Sequence, residues 1–407
     1  MMRDVIPGEP SGHRGDQAPE RPLRVLMVCP RYLPEFGGTE MHVHEVSRRL
    51  SALGSFEITV LTTDRSRRLP REEVVEGISV LRVPAWPRRR DYYLAPGIAA
   101  VIRQRRWDLV HCQGIHNLVP LIAMVSGRRA GLPYLVTFHT GGHSSRLRNA
   151  MRTTQWRLEG PLLRNAVSLI AVSRFEAAAL ARHARLGDGR VIVIQNGGAL
   201  PPPRPGTVAV TGRIVSSGRL VRYKGHQRVI EALPYVMRGV PEAHLLILGS
   251  GPYESDLYDL ARHLGVSDRV SIKHVAPADR QGMATALAES SVVAALSDYE
   301  AHPVAVMEAL CVGRPVVGYD VAGVGELIAE GWVRGVPYGA PAATLARELV
   351  TAMSSPSLVA HAHLPSWDSC ADQLAHVYLS SLGVASASRT RRTGDPVSQA
   401  DHDGRGR

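Results

Sequence analysis

Residues 24–40 read RVLMVCPRYLPEFGGTE: a short apolar run rich in branched side chains, then a glycine pair at the start of an amphipathic segment. The apolar face of that segment recurs at helical spacing, at Val43, Val46, Leu50 and Leu53. We expect Thr39 to cap this helix and Gly54 to end it. A strand, a glycine turn and a helix in this order are typical of a parallel βαβ unit.

The same alternation continues along the chain in two blocks. Strand-like runs lie at 24–29, 57–62, 109–111, 134–138, 169–172 and 191–194 in the first block, and at 213–217, 244–248, 270–273, 292–296 and 315–319 in the second. The proline-rich stretch LPPPRPG at 200–206 separates the blocks, and helical spacing returns at 366–382. The pattern predicts an α/β fold of two Rossmann-like domains, with parallel sheets that face each other across a cleft.

This pattern divides the chain into five parts. We expect a first domain from 23–200 plus 366–383, whose last helix crosses back to it, and a second domain from 207–365. The segment 201–206 is the predicted linker. Few apolar residues occur in 1–22 and 384–407, so we expect both tails to lack fixed structure.

The composition excludes several classes of protein. A chain of 407 residues is long enough for two or three domains with cores of their own. No apolar run approaches the ~20 residues of a membrane-spanning helix, and no apolar signal region opens the sequence. Four widely separated cysteines, without a CxxC pair, argue against structural zinc and a disulfide framework. We therefore expect a cytoplasmic protein.

The net charge of +11 is concentrated in the first domain, where 24–200 hold 26 basic and 13 acidic residues. No zinc-finger, KH or RRM signature accompanies it, and aromatic residues make up 5%, so we expect no nucleic-acid partner. An anionic small molecule or membrane surface fits better. The segment 146–157 mixes cations with apolar residues and is our candidate for peripheral contact with an anionic membrane. An arginine-rich, solvated face explains the same pattern.

Two glycine-rich or basic loops follow predicted strands at the edge where open α/β sheets bind ligands. Gly37 and Gly38 let backbone N–H groups approach an anion, although a tight turn selects the same residues. Arg219 and Lys224, five residues apart, form a possible clamp for a diphosphate, as an alternative to two solvated cations. Only two of the 48 basic residues are lysines, Lys224 and Lys273, which favours a specific role for the lysine on this loop.

Two further motifs point to the same edge. Gly249 and Gly251 form a turn after the apolar run at 244–248. In EAHPVAVME, 300–308, the first glutamate precedes a helix whose first turn we expect to contain Pro303, and the second glutamate lies on that helix. Carboxylates bind sugar hydroxyls, while free N–H groups at a helix start attract phosphate.

Nine motifs occur in an order that resembles one family. They are FGGTE (36–40), HTGGH (139–143), AVSRFE (171–176), IQNGG (194–198), GRLVRYKG (218–225), LGSGP (248–252), EAHPVAVMEA (300–309), GRPVVGYDVAGVGE (313–326) and SWDSCADQLAHVY (366–378). This set, across 23–382, resembles the retaining family 4 glycosyltransferases of the GT-B fold. The resemblance implies that the second domain holds a nucleotide-sugar donor and the first domain the acceptor.

The resemblance also implies roles for single residues. Arg219 and Lys224 match the positions that neutralise the donor diphosphate, Glu308 the position that holds the ribose, and Glu300 the one that contacts the transferred sugar. Glu300 as a helix-capping acid is the alternative. His139 matches a histidine that reaches the donor sugar, although a lone histidine at a strand end is more often structural. The other implied substrate contacts are Gly37, Gly38, Gly249, Gly251, His302, Pro303, Val304 and Gly323.

The sequence departs from the family pattern at two loops. The stretch 322–326 is AGVGE where Gly-Gly-x-Pro-Glu is usual, and 301–303 is AHP where Gly-Phe-Gly is common. Both departures bear on which sugar is accepted.

The implied reaction is transfer from a UDP- or GDP-linked sugar to a sugar, lipid-linked or small-molecule acceptor, as in glycan, glycolipid or natural-product biosynthesis. A donor phosphate oxygen takes the acceptor proton, and we expect neither a metal nor a cofactor. The Asp401–His402–Asp403 sequence in the tail is then a chance DxD. Two alternatives stay open: a nucleotide-sugar 2-epimerase of the same architecture, and a carbohydrate- or nucleotide-binding module without activity.

Overall fold

The computed structural model describes residues 21–88, 93–104, 106–115, 117–139, 146–187, 189–276, 278–355 and 364–383, with only the backbone for 146–153. The predicted tail 384–407 with its DxD, nearly all of 1–22, and the end of the HTGGH motif lie outside the described residues.

The first half of the chain forms an eight-stranded sheet in the order β3-β4-β2-β1-β5-β6-β7-β8, parallel except for β3. Its strands are β1 (Leu23–Val28), β2 (Phe56–Asp64), β3 (Glu72–Val75), β4 (Ile78–Pro84), β5 (Leu109–Gln113), β6 (Tyr134–Phe138), β7 (Ser168–Ala171) and β8 (Val191–Val193). Its helices are α1 (Gly38–Ala52), α2 (Gly97–Arg103), α3 (Leu118–Ala130), α4 (Arg146–Asn165) and α5 (Arg174–Ala184).

The second half forms a six-stranded parallel sheet in the order β11-β10-β9-β12-β13-β14. Its strands are β9 (Arg213–Ser217), β10 (His244–Leu248), β11 (Val270–Lys273), β12 (Val292–Ala295), β13 (Val316–Tyr319) and β14 (Arg334–Val336). Its helices are α6 (His226–Gly239), α7 (Glu254–His263), α8 (Arg280–Ala288), α9 (Val304–Cys311), α10 (Ala322–Ala329) and α11 (Ala342–Ser354).

Hydrophobic clusters cover both faces of the central strands in each sheet, which explains why those strands are almost continuously apolar. In β1, Val25 and Met27 belong to one hydrophobic cluster and Leu26 and Val28 to the other, as strand alternation requires. The last helix, α12 (Trp367–Ser381), packs against α1 and buries Trp367 and Tyr378 in the first of these clusters. The predicted return of the terminal helix to the first domain is therefore confirmed.

Three local predictions were wrong. Helix α1 begins at Gly38 with Gly37 as its N-cap and without a side-chain cap, so Thr39 lies inside the first turn. Pro303 is the N-cap of α9 instead of a residue in its first turn. Trp156, an apolar residue of the segment 146–157 that is our candidate for membrane contact, is 4% exposed and belongs to the core.

The order of the strands locates the ligand edge. Each sheet has one point where the chain direction of its crossovers reverses, between β1 and β5 and between β9 and β12. In open α/β sheets, ligands bind outside the carboxyl ends of the strands at this point. The loops after β1, β5, β9 and β12 therefore form the candidate site. No helix in the described ranges is both long and apolar enough to span a bilayer.

Candidate active site

A cleft of about 520 Å³ lies between the carboxyl-terminal edges of the two sheets. Eleven of the predicted site residues line it: Gly37, Gly38, His139, Arg219, Lys224, Gly249, Glu300, His302, Pro303, Val304 and Glu308. Gly251 and Gly323 are not part of its lining. Loops that are far apart in the sequence thus meet where the topology places a ligand.

Lys224 and Glu300 form an ion pair in the cleft, with 2.6 Å between Nζ and Oε1. Ser297 Oγ donates a second hydrogen bond to the same carboxylate oxygen at 2.7 Å. Burial opposes the charge on Lys224, but the Glu300 carboxylate outweighs it and raises the pKa of Lys224 above its ordinary value. The ammonium therefore stays charged, and the alternative of a freely solvated cation is wrong.

A close backbone contact fixes the position of Lys224. Gly225, directly after it, has a φ of +79°, and a Cβ atom there would lie closer than 3.0 Å to the main chain of Leu296. The N–H of Asp298 also donates to the main-chain oxygen of Tyr223 at 2.7 Å. These contacts join the loop after β9 to the loop after β12, so the lysine and the glutamate meet.

Arg219 reaches into solvent from the same loop and donates from Nη2 to Tyr223 Oη at 3.1 Å. His226 contacts the end of β9 and the loop that follows it. Its Nδ1 lies 2.8 Å from Ser216 Oγ, and its Nε2 lies 3.2 Å from the main-chain oxygen of Arg219. His226 could not be singled out from the sequence, because a histidine at the start of a helix has no motif of its own.

The N-termini of two helices, α1 from the first half of the chain and α9 from the second, line the cleft. In the described part of the chain, the N–H groups of Val304 and Ala305, at the start of α9, donate to no acceptor. A Cβ atom on Gly38, at the start of α1, would lie 4.0 Å from Val304 Cγ2. Free N–H groups and the helix dipole make such a place favourable for an anion.

The predicted glycines differ in whether the surrounding structure leaves room for a side chain. At Gly249, Gly251 and Gly323 a Cβ atom would lie closer than 3.0 Å to backbone atoms of a neighbouring loop. At Gly37 it would meet only the Glu40 carboxylate, and at Gly38 nothing closer than 4.0 Å. Backbone packing therefore explains the first three glycines, whereas the fold does not require a glycine at 38.

His139 follows β6 and lines the cleft from the first domain. Its Nε2 lies 2.8 Å from Gln113 Oε1, and its ring stands edge-on to the His42 ring at 4.6 Å. His42 Nδ1 lies 2.9 Å from Asn196 Oδ1, and Asn196 Nδ2 donates to the main-chain oxygen of His302 at 3.0 Å. His139 is thus connected to the loop between β12 and α9 through His42 and Asn196.

Glu308 lies on α9 with its side chain 8% exposed, and it forms an ion pair with Arg280 at the start of α8. Burial raises the pKa of Glu308, and the Arg280 guanidinium opposes this effect. The second domain therefore presents two carboxylates, Glu300 and Glu308, each with its own cation, on either side of the α9 N-terminus.

Models of two protein families match the two halves of the chain. The model for Glycosyltransferase Family 4 matches residues 36–198, and the model for Glycosyl transferases group 1 matches residues 211–362. The chain is a family 4 glycosyltransferase.

Relatives of this glycosyltransferase match most of its length. A D-inositol 3-phosphate glycosyltransferase from Nocardiopsis dassonvillei is 29% identical over 392 residues, 84% of this chain and 89% of the relative. A GDP-mannose:cellobiosyl-diphosphopolyprenol alpha-mannosyltransferase from Komagataeibacter xylinus is 26% identical over 401 residues, 92% of this chain and 96% of the relative. The structure of Anabaena HepE in complex with UDP and glucose matches with a TM-score of 0.69 and 18% identity, over 88% of this chain and 100% of that one. The GT-B fold expected from the sequence is therefore confirmed.

His302 of the glycosyltransferase occupies the position where the family commonly has phenylalanine. It is 4% exposed, and neither ring nitrogen has a hydrogen-bond partner among the described residues. Burial lowers the pKa of His302 to about 4. Because an unfolded histidine titrates near pH 6.5, the unfolded state binds a proton that the folded state excludes, and stability falls as the pH drops from 6.5 towards 4.

His302→Phe should therefore raise the free energy of unfolding by about 1–3 kcal/mol at pH 7, since it removes two unsatisfied nitrogens. The gain should be larger at pH 5, where the wild-type chain takes up the proton only on unfolding. Urea unfolding at both pH values measures this. A variant that is less stable than the wild type, or that gains equally at both pH values, contradicts it.

Proposed function

We propose that this glycosyltransferase moves a sugar from a nucleotide-diphosphate sugar to an acceptor hydroxyl with retention of the anomeric configuration. The observation that carries the proposal is that Arg219, the Lys224–Glu300 pair and the free N–H groups at the start of α9 all line one cleft. Two cations and free N–H groups suit a diphosphate, and the adjacent carboxylates suit the hydroxyls of a sugar and a ribose.

In the proposed reaction, the bond between the anomeric carbon and the phosphate oxygen breaks, and its electron pair goes to the diphosphate. Arg219, Lys224 and the N–H groups of Val304 and Ala305 stabilise the developing negative charge. The acceptor oxygen bonds to the same face of the sugar, and its proton passes to a departing phosphate oxygen. No protein base is needed in this scheme, and the two side-chain cations do the work that a metal ion performs elsewhere.

Glu300 has two parts in this scheme. It holds Lys224 in place before the donor binds, and it accepts hydrogen bonds from hydroxyls of the transferred sugar. An ammonium group has three donors, so Lys224 can keep Glu300 and still contact a phosphate oxygen. His139 is proposed to contact the same sugar from the first domain, with its ring held by Gln113.

A screen of UDP-, GDP-, ADP- and dTDP-sugars tests the function. We expect slow release of the nucleoside diphosphate from one donor alone, faster release with an acceptor, and a first-formed free sugar with the anomeric configuration of the donor by proton NMR. Release of UDP with a new sugar, without any acceptor, supports the epimerase. Binding without turnover under all conditions supports the non-catalytic module.

The acceptor is proposed to bind on the side of the first domain. Two of the relatives are named for acceptors that contain a D-inositol 3-phosphate and a diphosphopolyprenol. A cytoplasmic location with peripheral contact at the inner face of the membrane stays part of the proposal. Arg157 and Leu158 support it, because they lie exposed side by side on α4, with Leu158 77% exposed. We expect salt-sensitive sedimentation with phosphatidylglycerol vesicles but not with phosphatidylcholine vesicles; no binding to either contradicts the membrane contact.

A further inference from the structure

One carboxylate oxygen of Glu308 accepts a hydrogen bond, and the other is available to a ligand. Its Oε1 accepts a hydrogen bond from Arg280 Nη2, while its Oε2 accepts none from any residue that the structure describes. The side chain is 8% exposed and lines the cleft. An ionised carboxylate is a pure acceptor with room for two hydroxyl donors, whereas a protonated one turns one oxygen into a donor.

The surroundings of Glu308 disfavour its ionised form, except for one group. Burial raises its pKa, and the Glu45 carboxylate on α1 acts in the same direction. Cys311, one turn later on α9, adds no charge of its own, because burial raises the pKa of its thiol and keeps the thiol neutral. Arg280 is the group whose charge and hydrogen bond lower the pKa of Glu308.

Arg280 is held in place from a second direction. The same Nη2 that contacts Glu308 lies 3.2 Å from the main-chain oxygen of Ala199, in the segment between the two sheets. Arg280 is also the first residue of α8, where the helix dipole disfavours a cation. The positive charge of Arg280 is therefore unfavourable for helix α8 but favourable for the Glu308 carboxylate.

We propose that Arg280 is a positioning residue that holds Glu308 as an ionised acceptor for the two ribose hydroxyls of the donor nucleotide. This inference rests on the proposed function, since it requires a nucleotide in the cleft. It narrows the donor class: a 2′-deoxyribose offers Glu308 one hydroxyl instead of two, so ribonucleotide-linked sugars are preferred over dTDP-sugars.

Calorimetric titration tests the inference with the nucleoside diphosphate that binds best among UDP, GDP and ADP, and with its 2′-deoxy counterpart. We expect the wild type to prefer the ribonucleotide by at least about tenfold, the size of one hydrogen bond to a charged group. Glu308→Gln should lose most of this preference at every pH. Arg280→Gln should lose it at pH 5.5 and regain part of it at pH 8, whereas Arg280→Lys should keep it at both.

Other results would overturn either this inference alone or the proposed function as well. An Arg280→Gln variant with the wild-type preference at both pH values overturns the inference, and so does one that loses affinity for both nucleotides equally and without pH dependence. If Arg280→Gln does not fold, a folded Arg280→Lys variant without ribonucleotide preference overturns it instead. A wild type that binds no nucleoside diphosphate refutes the proposed function, and this inference with it.

Discussion

Lys224→Ala should lower the rate of sugar transfer by about 100- to 1000-fold, the loss typical when one preorganised donor to a developing negative charge is removed. The ammonium is held by Glu300, and the turn that ends at Gly225 fixes the backbone that carries it. The substitution also leaves the Glu300 carboxylate without its cation. The initial rate of nucleoside diphosphate release, with the donor found by the screen, measures the effect.

Lys273→Ala is the matched control, because Lys273 is the other lysine of the chain, exposed at the end of β11. It should keep wild-type activity. Circular dichroism should show that both variants are folded. Equal rates for the two variants would show that Lys224 does not act on the diphosphate.

Gly323→Ala should destabilise the second domain by about 3 kcal/mol or more, the upper range for overpacking. A Cβ atom at this position would lie closer than 3.0 Å to the main-chain carbonyl of Ala301. The Gly323 N–H also donates to the main-chain oxygen of Glu300 at 2.9 Å. Because the obstacle is backbone, no side-chain rotation relieves it, and the loop that carries Glu300 must move.

Gly38→Ala is the counterpart, because the added methyl group would meet only Val304 Cγ2 at 4.0 Å. We expect a melting temperature close to that of the wild type and weaker donor binding, since Gly38 lines the cleft and the methyl group adds volume there. Thermal unfolding measures the loss of stability expected for Gly323→Ala, and donor titration measures the loss of binding expected for Gly38→Ala. A Gly323→Ala variant as stable as Gly38→Ala contradicts the packing argument.

The layered fold follows from the sequence because buried parallel strands and glycine turns leave a strong local pattern. The strand-like runs of both blocks appear as strands within about two residues. The β3–β4 hairpin escaped prediction, since its turn relies on positive φ angles at Glu76 and Gly77 and not on a typical turn sequence. Local patterns thus predict the elements better than their irregular connections.

The ion pairs of the site could not be predicted from the sequence. Lys224 and Glu300 are 76 residues apart, and Arg280 and Glu308 are 28 apart. These loops meet because of the order of the strands in the sheet, and the spacing of residues along the sequence contains no information about that order. The scarcity of lysine singled out Lys224, whereas Arg280 had no such signal among many arginines.

The departure from the family pattern at 322–326 has a structural consequence. Ala322, where the family has glycine, adopts a φ of +48°, a conformation that costs a residue with a Cβ about 1–2 kcal/mol. Glu326 at the end of the same loop accepts hydrogen bonds from the N–H groups of Arg174, at 3.1 Å, and Phe175. This loop therefore joins the two domains at the start of α5.

The central claim is that Arg219 and Lys224 bind the diphosphate of a nucleotide donor. Calorimetric titration of the preferred nucleoside diphosphate and of the matching nucleoside, into the wild type and the Arg219→Ala/Lys224→Ala variant, tests it most directly. We predict that the wild type binds the diphosphate at least a hundredfold more tightly than the nucleoside, and that the double variant binds the two within about tenfold of each other. An undiminished preference for the diphosphate in the folded double variant would contradict the account.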